Sequence, residues 1–148
     1  MPVAALLVAV TATLGPHGIG NVPFGQSKPA TVAALTRLFG PPTSRGPNPG
    51  CGPRYSEVVW HGLAAEFRFD VFSGYRYRSS TPTVATSTGI SLGSTLAQVR
   101  AAYGKLAFVG TDRWRARNGL VFYDDAMRDP EPPSSRIVEI KTGTCGDF

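Results

Sequence analysis

Apolar residues recur at helical spacing in two segments of the chain, and a glycine follows the last of them both times. The positions are Val32, Leu35 and Phe39 before Gly40, and Leu96, Val99 and Tyr103 before Gly104. Spacing of i, i+3 and i+7 places the apolar side chains on one face of a helix, and glycine is common just past a helix C-terminus. The pattern predicts two amphipathic helices, the second opened by Thr95 and Gln98 in a capping box.

Alternating side chains and turn signals predict antiparallel strands after each helix. Residues 136–141 alternate polar and apolar side chains, as a strand solvated on one face does, and residues 75–78 do the same. Asn118 and Gly119 lie between apolar runs and are a strong hairpin signal, because both central positions of a tight type I′ turn need positive φ. Each half of the chain is therefore expected to carry a helix followed by antiparallel strands.

The predicted fold class is α+β, with two tandem helix-plus-antiparallel-sheet repeats packed into one compact domain. Each helix follows a short apolar-x-apolar-Gly opening, residues 22–25 in one half and residues 90–93 in the other. The first repeat is assigned to residues 13–85 and the second to residues 86–148. Units of this size are too small for a comfortable core of their own, so we expect them to pack against each other.

Residues 1–12 resemble the end of a signal peptide. An apolar run is followed by small residues, and residues 10–12 fit a signal-peptidase site. The positive n-region expected of a signal peptide is missing, because Lys28 is the first basic side chain. The alternative is an apolar first strand that runs into Leu14. We favour export, which places the protein in a secreted or cell-envelope, extracytoplasmic location.

The two cysteines lie in short polar turns that are rich in glycine. Cys51 is part of Gly-Cys-Gly-Pro, and Cys145 is part of Gly-Thr-Cys-Gly. Inert thiols usually lie in apolar runs, and an oxidising compartment does not favour two free thiols in exposed turns. A disulfide between Cys51 and Cys145 is therefore predicted, in agreement with export. Two unrelated free thiols are the alternative.

Composition narrows the class of protein further. The chain of 148 residues has a net charge of +5, and 12 of its 15 basic residues are arginine. Gly, Ala, Pro and Arg all have GC-rich codons, so genome composition explains the arginine excess without selection for phosphate binding. No dense basic block is present, which argues against a nucleic acid partner. No apolar stretch approaches the roughly 20 residues that span a bilayer, and the cysteines and histidines lack zinc-ligand spacing.

The short opening, the Ser/Thr helix start, the closing glycine and the antiparallel strands of each half resemble the β-lactamase inhibitor protein family, from about Gly18 to the C-terminus. The same unit, occurring singly, is similar to small lipoproteins of the outer-membrane assembly machinery. The resemblance implies a secreted or envelope protein that binds another protein through a sheet face, without catalysis. The chain departs from the inhibitor family because Cys51 and Cys145 fall in different halves, whereas that family has a disulfide within each unit.

Residues with catalytic or metal-binding chemistry do not form a recognised pattern. His61, in a predicted tight turn with Gly62, would need Ser56 and Glu57 brought beside it to act as a general base. Four acidic residues could offer oxygen ligands to Ca²⁺, but they lack the alternating ligands and central glycine of a calcium-binding loop and suit a solvated acidic loop. These residues are Asp124, Asp125, Asp129 and Glu131. We therefore expect no enzyme activity, no metal and no cofactor.

Two stretches rich in arginine and aromatic residues form the candidate binding site. Alternation in residues 75–78 puts two tyrosines on one strand face and two arginines on the other, and residues 113–117 put three arginines on one face. Tyrosine, tryptophan and arginine are enriched at interface hot spots. The candidate contacts are Tyr75, Tyr77, Arg113, Arg115 and Arg117. Alternatively, the aromatic side chains pack in the core and the arginines are simply solvated.

These observations predict a secreted, non-catalytic binding protein that recognises another protein, as an inhibitor does, or an anionic component of the cell envelope. A secreted hydrolase-like or nucleic-acid-binding domain is the alternative. Aromatic and arginine side chains in alternation could stack bases and hold phosphates of a single strand, but export argues against nucleic acid. The sequence leaves the partner and the oligomeric state open.

Overall fold

The predicted fold class is corrected by the computed structural model, which describes residues 11–110, 112–126 and 133–145. Strands make up 42% of the described residues and helices 16%. The protein is mostly β, with two sheets in a sandwich-like arrangement, so the expected α+β class built from two helix-plus-sheet repeats is wrong. Much of the difference between the predicted and the observed strand content comes from strands too short to show alternating polar and apolar residues in the sequence.

The described residues contain two helices and twelve strands. The helices are α1 (Lys28–Phe39) and α2 (Leu96–Tyr103). The strands are β1 (Ala12–Gly15), β2 (Gly18–Ile19), β3 (Val22–Pro23), β4 (Ser44–Pro47), β5 (Tyr55–Trp60), β6 (Leu63–Arg68), β7 (Val71–Tyr77), β8 (Val84–Thr86), β9 (Ala107–Gly110), β10 (Arg113–Arg115), β11 (Val121–Asp124) and β12 (Ile137–Thr142).

Eight strands form one antiparallel sheet in the order β4-β5-β6-β7-β12-β11-β10-β9. Strands from early and late parts of the chain meet at β7 and β12, where Tyr75 lies opposite Thr142. The edge strands β4 and β9 are those that follow helices α1 and α2 in the chain. One continuous sheet surface therefore joins the two parts of the chain.

One face of this large sheet is covered by both helices and by the second sheet, whose strand order is β3-β2-β1-β8. Leu35 of α1 and Leu96 of α2 are fully buried in a core shared with the large sheet. The Tyr75 hydroxyl donates a hydrogen bond of 2.8 Å to the Gly15 carbonyl and so links β7 to β1. The largest fully buried side chains are Trp60, Tyr75, Tyr77, Phe67, Phe72 and Phe122.

Both predicted helices are present, and their ends follow local capping rules. The Ser27 side chain caps α1, and Thr95 with Gln98 forms the predicted reciprocal capping box at the start of α2. Gly40 and Gly104 end the helices with φ of 83° and 73°. Their ψ angles are −170° and −139°, a combination that glycine alone adopts readily.

Replacing Gly40 or Gly104 by alanine is expected to lower the free energy of unfolding by at least about 1 kcal/mol, because alanine is strained at positive φ. An added Cβ would meet no atom within 4 Å at either position, so backbone strain is the only cost. Gly46→Ala is the matched control, since Gly46 has open space and no positive φ. Denaturant unfolding in which all three variants match the wild type would contradict this assignment of the helix ends.

Both turns predicted from sequence lie where they were expected, but only the first has the predicted two-residue form. His61 and Gly62 connect β5 to β6 as a two-residue turn, with φ of 53° at His61. Asn118 and Gly119 belong to a longer loop between β10 and β11, in which the Asn118 side chain accepts a hydrogen bond from the Leu120 N–H at 3.1 Å. Gly119 has φ of 99°, so the loop uses glycine's freedom without forming the tight two-residue turn.

Cys51 and Cys145 form the predicted disulfide, with their Cα atoms 5.7 Å apart. The bond ties the loop between β4 and β5 to the segment that follows β12. That segment crosses β7 at Gly74 and reaches Glu66, whose carboxylate accepts the Cys145 N–H at 2.8 Å. Glu66 is 3% exposed and also accepts a hydrogen bond from the Asn48 side chain at 3.2 Å. A covalent bond and a buried carboxylate thus hold the C-terminal segment on the sheet.

The predicted signal peptide lies mostly outside the described residues. The described residues begin at Thr11, whose N–H donates to the Thr83 carbonyl at 2.9 Å, and Ala12 begins β1. Leu14 is buried in the core, so β1 belongs to the fold. Within the part of the chain that the structure describes, no helix has the length and apolar character needed to cross a membrane.

Candidate functional site

Two of the five candidate binding residues are buried. Tyr75 and Tyr77 have exposed fractions of 0% and 1%. Burial raises the pKa of the Tyr75 hydroxyl, and Tyr103 adds to the rise. Both side chains support the core, as the alternative interpretation of the aromatic residues expected. The predicted binding surface is therefore corrected, because it does not include these two tyrosines.

Arg113 and Arg115 lie on the sheet face opposite the core. Trp114 between them is paired with Phe122, which is fully buried in the core, so the two arginines point the other way. Both arginines are partly exposed. Arg117 lies two residues beyond β10, in an exposed loop. The structure thus brings two of the three predicted arginines onto one sheet face and places the third at its border.

Cross-strand neighbours extend the surface around Arg113 and Arg115 over β10, β11, β12 and β7. One row runs from Arg113 through Tyr123 to Glu139, and the next runs from Arg115 through β11 to Lys141 and Arg76. We call this surface the basic face, because it holds five cationic side chains, one carboxylate and one tyrosine. Its members are Arg76, Arg78, Arg113, Arg115, Tyr123, Glu139 and Lys141.

Tyr123 is the aromatic centre of the basic face. The Arg113 guanidinium lies 5.8 Å and the Lys141 ammonium 5.0 Å from its ring centroid, within the range of cation–π attraction. Lys141 is 7% exposed, whereas Arg113 and Tyr123 are partly exposed. Arg113 and Tyr123 therefore present a planar cation and an aromatic ring next to each other at the surface.

A single carboxylate serves two guanidinium groups elsewhere on the basic face. Glu139 forms ion pairs with Arg76, at 3.4 Å, and with Arg78. The side chains of Glu139 and Arg76 are 12% and 22% exposed, and that of Arg78 is 61% exposed. The pairing fixes both arginines in position and leaves the face with an excess of positive charge. Such a face attracts acidic partners and raises their association rate.

The hairpin between β6 and β7 has an unusual tip at Phe69 and Asp70. Both residues have positive φ, 51° and 60°, a region that residues other than glycine, asparagine, aspartate and histidine rarely adopt. Phe69 is 57% exposed, and the guanidinium groups of Arg54 and Arg68 lie 4.9 Å and 5.6 Å from its ring centroid. Asp70 is of a residue type that tolerates positive φ but Phe69 is not, so the pair Phe-Asp is not a recognised hairpin signal in the sequence.

Replacing Phe69 and Asp70 together by Asn and Gly is expected to raise the free energy of unfolding by about 1 kcal/mol. The pair Asn-Gly suits a turn with two positive φ angles, and this relief exceeds the loss of the contacts with Arg54 and Arg68. His61→Asn, at the other positive-φ turn, is expected to stabilise the protein for the same reason. Thermal unfolding would contradict this explanation if the double variant melted below the wild type.

The residues considered for catalysis are not brought together. His61 lies in the exposed turn after β5, whereas Ser56 is near the start of that strand and its hydroxyl accepts a hydrogen bond from Lys28 at 2.8 Å. Glu57 is on β5 between them. Five residues of extended strand separate His61 from Ser56 by roughly 16 Å, which is too far for a general-base arrangement.

The acidic residues considered for calcium have structural contacts. Asp124 is 2% exposed and accepts hydrogen bonds from the Trp114 side chain and the Ala126 N–H, both at 2.9 Å. Asp125 accepts the Arg136 N–H at 2.7 Å. The other two, Asp129 and Glu131, lie outside the described residues.

Among the described residues, one group contains three potential metal ligands within reach of one another, Cys51, Glu66 and Cys145. Both sulfur atoms are already joined in the disulfide, and the Glu66 carboxylate holds the Cys145 backbone. The group therefore serves to fasten the C-terminal segment. No family model, curated protein or solved structure matches this chain.

Five members of the basic face were not among the predicted contacts. They join the site through strand pairing between distant parts of the chain and, for Arg78, through the ion pair with Glu139. These five are Arg76, Arg78, Tyr123, Glu139 and Lys141. A partial signal was present, because the alternation in residues 136–141 already placed Glu139 and Lys141 on one strand face. Which strands would lie beside that face could not be read from local patterns.

Proposed function

We propose that the protein is an extracytoplasmic, non-catalytic binding protein whose basic face docks against an acidic surface of another protein. The observation that carries the proposal is the grouping of Arg113, Tyr123 and their cationic neighbours on the sheet face that neither helix covers. Arginine and tyrosine combine contact area, planar hydrogen bonding and low loss of side-chain entropy, which suits them to binding hot spots.

The geometry favours a protein partner over a flexible anionic polymer. The side chains of the basic face lie at fixed register on paired strands, and two of its arginines are held by Glu139. A rigid array with an aromatic centre suits a partner that offers carboxylates at defined positions beside an apolar contact. The resemblance to β-lactamase inhibitor proteins is consistent with an inhibited enzyme as that partner, and this stays a prediction.

The compartment is part of the same proposal. The disulfide between Cys51 and Cys145 fits an oxidising location, since such bonds persist outside the cytoplasm and are rare within it. Export to the medium or the cell envelope would supply that environment. Recovery of the chain from the culture medium or the envelope fraction of the producing organism tests this part of the proposal.

Affinity capture from those fractions, at low and moderate salt, tests the binding function. The double variant Arg113→Gln with Tyr123→Ala is expected to capture at least about tenfold less partner than the wild type. The reason is that truncation of a hot-spot pair costs on the order of 2 kcal/mol. Arg37→Gln is the matched control, since it removes one positive charge from α1 on the opposite side of the sheet. Both variants should melt close to the wild type.

Three outcomes would contradict the proposal. Equal capture by the double variant and the wild type would remove the basic face from binding. An equal loss of captured partner in Arg37→Gln would show that capture depends only on the net charge of the protein. Retention of an anionic glycan or lipid in place of a protein would show that the face recognises an envelope polymer, which is the alternative class of partner.

A further inference from the structure

Beside the basic face, at the edge of the large sheet, lies a shallow pocket of about 320 Å³. It is enclosed by the connection from α2 to β9 on one side and by the end of β10 and the following loop on the other. Its lining residues are Lys105, Leu106, Ala107, Arg115, Ala116 and Arg117. Three of these six side chains are cationic and none is acidic, so the pocket has a concentrated positive charge.

The floor of the pocket is apolar and rigid. Leu106 and Ala116 are 9% and 3% exposed. Arg115 pairs with Ala107 across β10 and β9, and the Ala116 N–H donates to the Leu120 carbonyl at 2.9 Å. The backbone that carries Arg115 and Arg117 beside the pocket is therefore held by strand pairing and by the turn that follows β10.

Lys105 and Arg117 stand out from most other cationic side chains of the protein. Within residues 11–110, 112–126 and 133–145, no hydrogen bond, ion pair or ring contact engages either of them, and both are exposed. Arg76, Arg78 and Arg113, in contrast, have an ion pair or an aromatic ring as partner. Like charges gathered around one pocket repel one another, and a bound anion removes that repulsion.

We infer that this pocket binds a phosphate group carried on a small molecule, with Lys105 and Arg117 as its ligands. A phosphate with two negative charges balances these two cations better than a single carboxylate does, and its oxygens accept bidentate hydrogen bonds from arginine. The apolar floor suits the carbon skeleton of a phosphomonoester. This site is distinct from the docking proposed for the basic face, although Arg115, a member of that face, also lines the pocket.

The inference is tested by titrating the full chain with inorganic phosphate and with glucose 6-phosphate, at constant ionic strength set by chloride. The amide chemical shifts of residues 105–107 and 115–117 should change as the phosphate ligand is added and should reach a plateau. Lys105→Gln and Arg117→Gln should each weaken binding about tenfold, and the pair should abolish saturation, because each removes one charge-assisted contact. Lys105 lies outside the basic face and its border, so protein capture should survive Lys105→Gln.

Arg37→Gln is the control for general charge, and it should leave phosphate binding unchanged. Unchanged melting temperatures would show that the variants fold. Retained binding in the double variant, or equal shifts with acetate in place of phosphate, would overturn the site. Binding to vesicles that contain phosphatidic acid, without binding of either soluble phosphate, would assign the anion to a lipid and also overturn a small-molecule site.

Discussion

Reduction of the disulfide between Cys51 and Cys145 is expected to lower the free energy of unfolding by about 4 kcal/mol. The two cysteines are 94 positions apart, so the bond closes a loop that takes in most of the chain and restricts the unfolded ensemble strongly. In the folded protein it also holds the C-terminal segment against β6 and β7. Denaturant unfolding with and without a reductant measures the difference.

The double variant Cys51→Ser with Cys145→Ser is the matched control for reduction. It should unfold at the same denaturant concentration as the reduced wild type and should not respond to reductant. Mass spectrometry after alkylation gives an independent check, because the native protein should offer no reactive thiol. Two alkylated cysteines in the unreduced protein, or a loss of stability below about 1 kcal/mol, would contradict the predicted role.

Gly74→Ala is expected to lower the free energy of unfolding by about 3 kcal/mol, which is near the upper end of overpacking effects. An added Cβ on Gly74 would lie 2.5 Å from the carbonyl carbon and oxygen of Gly143 and 2.8 Å from the Thr144 nitrogen. These are backbone atoms, so no side-chain rotation relieves the contact. The C-terminal segment would have to move away from the sheet while the disulfide holds it there.

A second result is expected for Gly74→Ala if the strain arises from the C-terminal segment. In the reduced protein the C-terminal segment is no longer tied to Cys51, so the cost of the substitution should be smaller than in the oxidised protein. Gly46→Ala, which places its Cβ in open space, should be nearly neutral in both states. Equal costs in the oxidised and reduced proteins would show that the strain does not arise from the C-terminal segment.

The helices could be predicted because their signals are local. The capping box at Thr95 and the positive-φ glycine at position 104 lie within one short segment, and no distant contact is needed to form them. The cysteine pairing was also accessible, since two cysteines allow one bond. These features depend on spacing and residue type alone.

The fold class could not be predicted because it depends on distant and very short strands. β1 pairs in parallel with β8 across some 70 residues, and neither strand alternates polar and apolar side chains. β4 lies within a segment rich in proline and glycine that is typical of a loop, yet it pairs with β5 through four residues. Patterns within a strand do not indicate which other strand it will meet.

The candidate site shows the same limit on a smaller scale. Alternation correctly separated Tyr75 and Tyr77 from Arg76 and Arg78, but it did not tell which face of the strand the helices would cover. Which face the helices cover depends on tertiary packing. In the structure they cover the face that carries the two tyrosines, so both are core residues. Tyr123 entered the site only because β11 pairs with β10 and β12.

Hydrogen–deuterium exchange on the protein in complex with its captured partner tests the central claim most directly. The account predicts slowed exchange over β10, β11 and the part of β12 around Glu139 and Lys141, with helix α1 unchanged. It also predicts that this protection weakens as salt rises, since the face is basic. Protection confined to α1 or to the small sheet, with β10 and β11 unaffected, would contradict the assignment of the basic face as the binding surface.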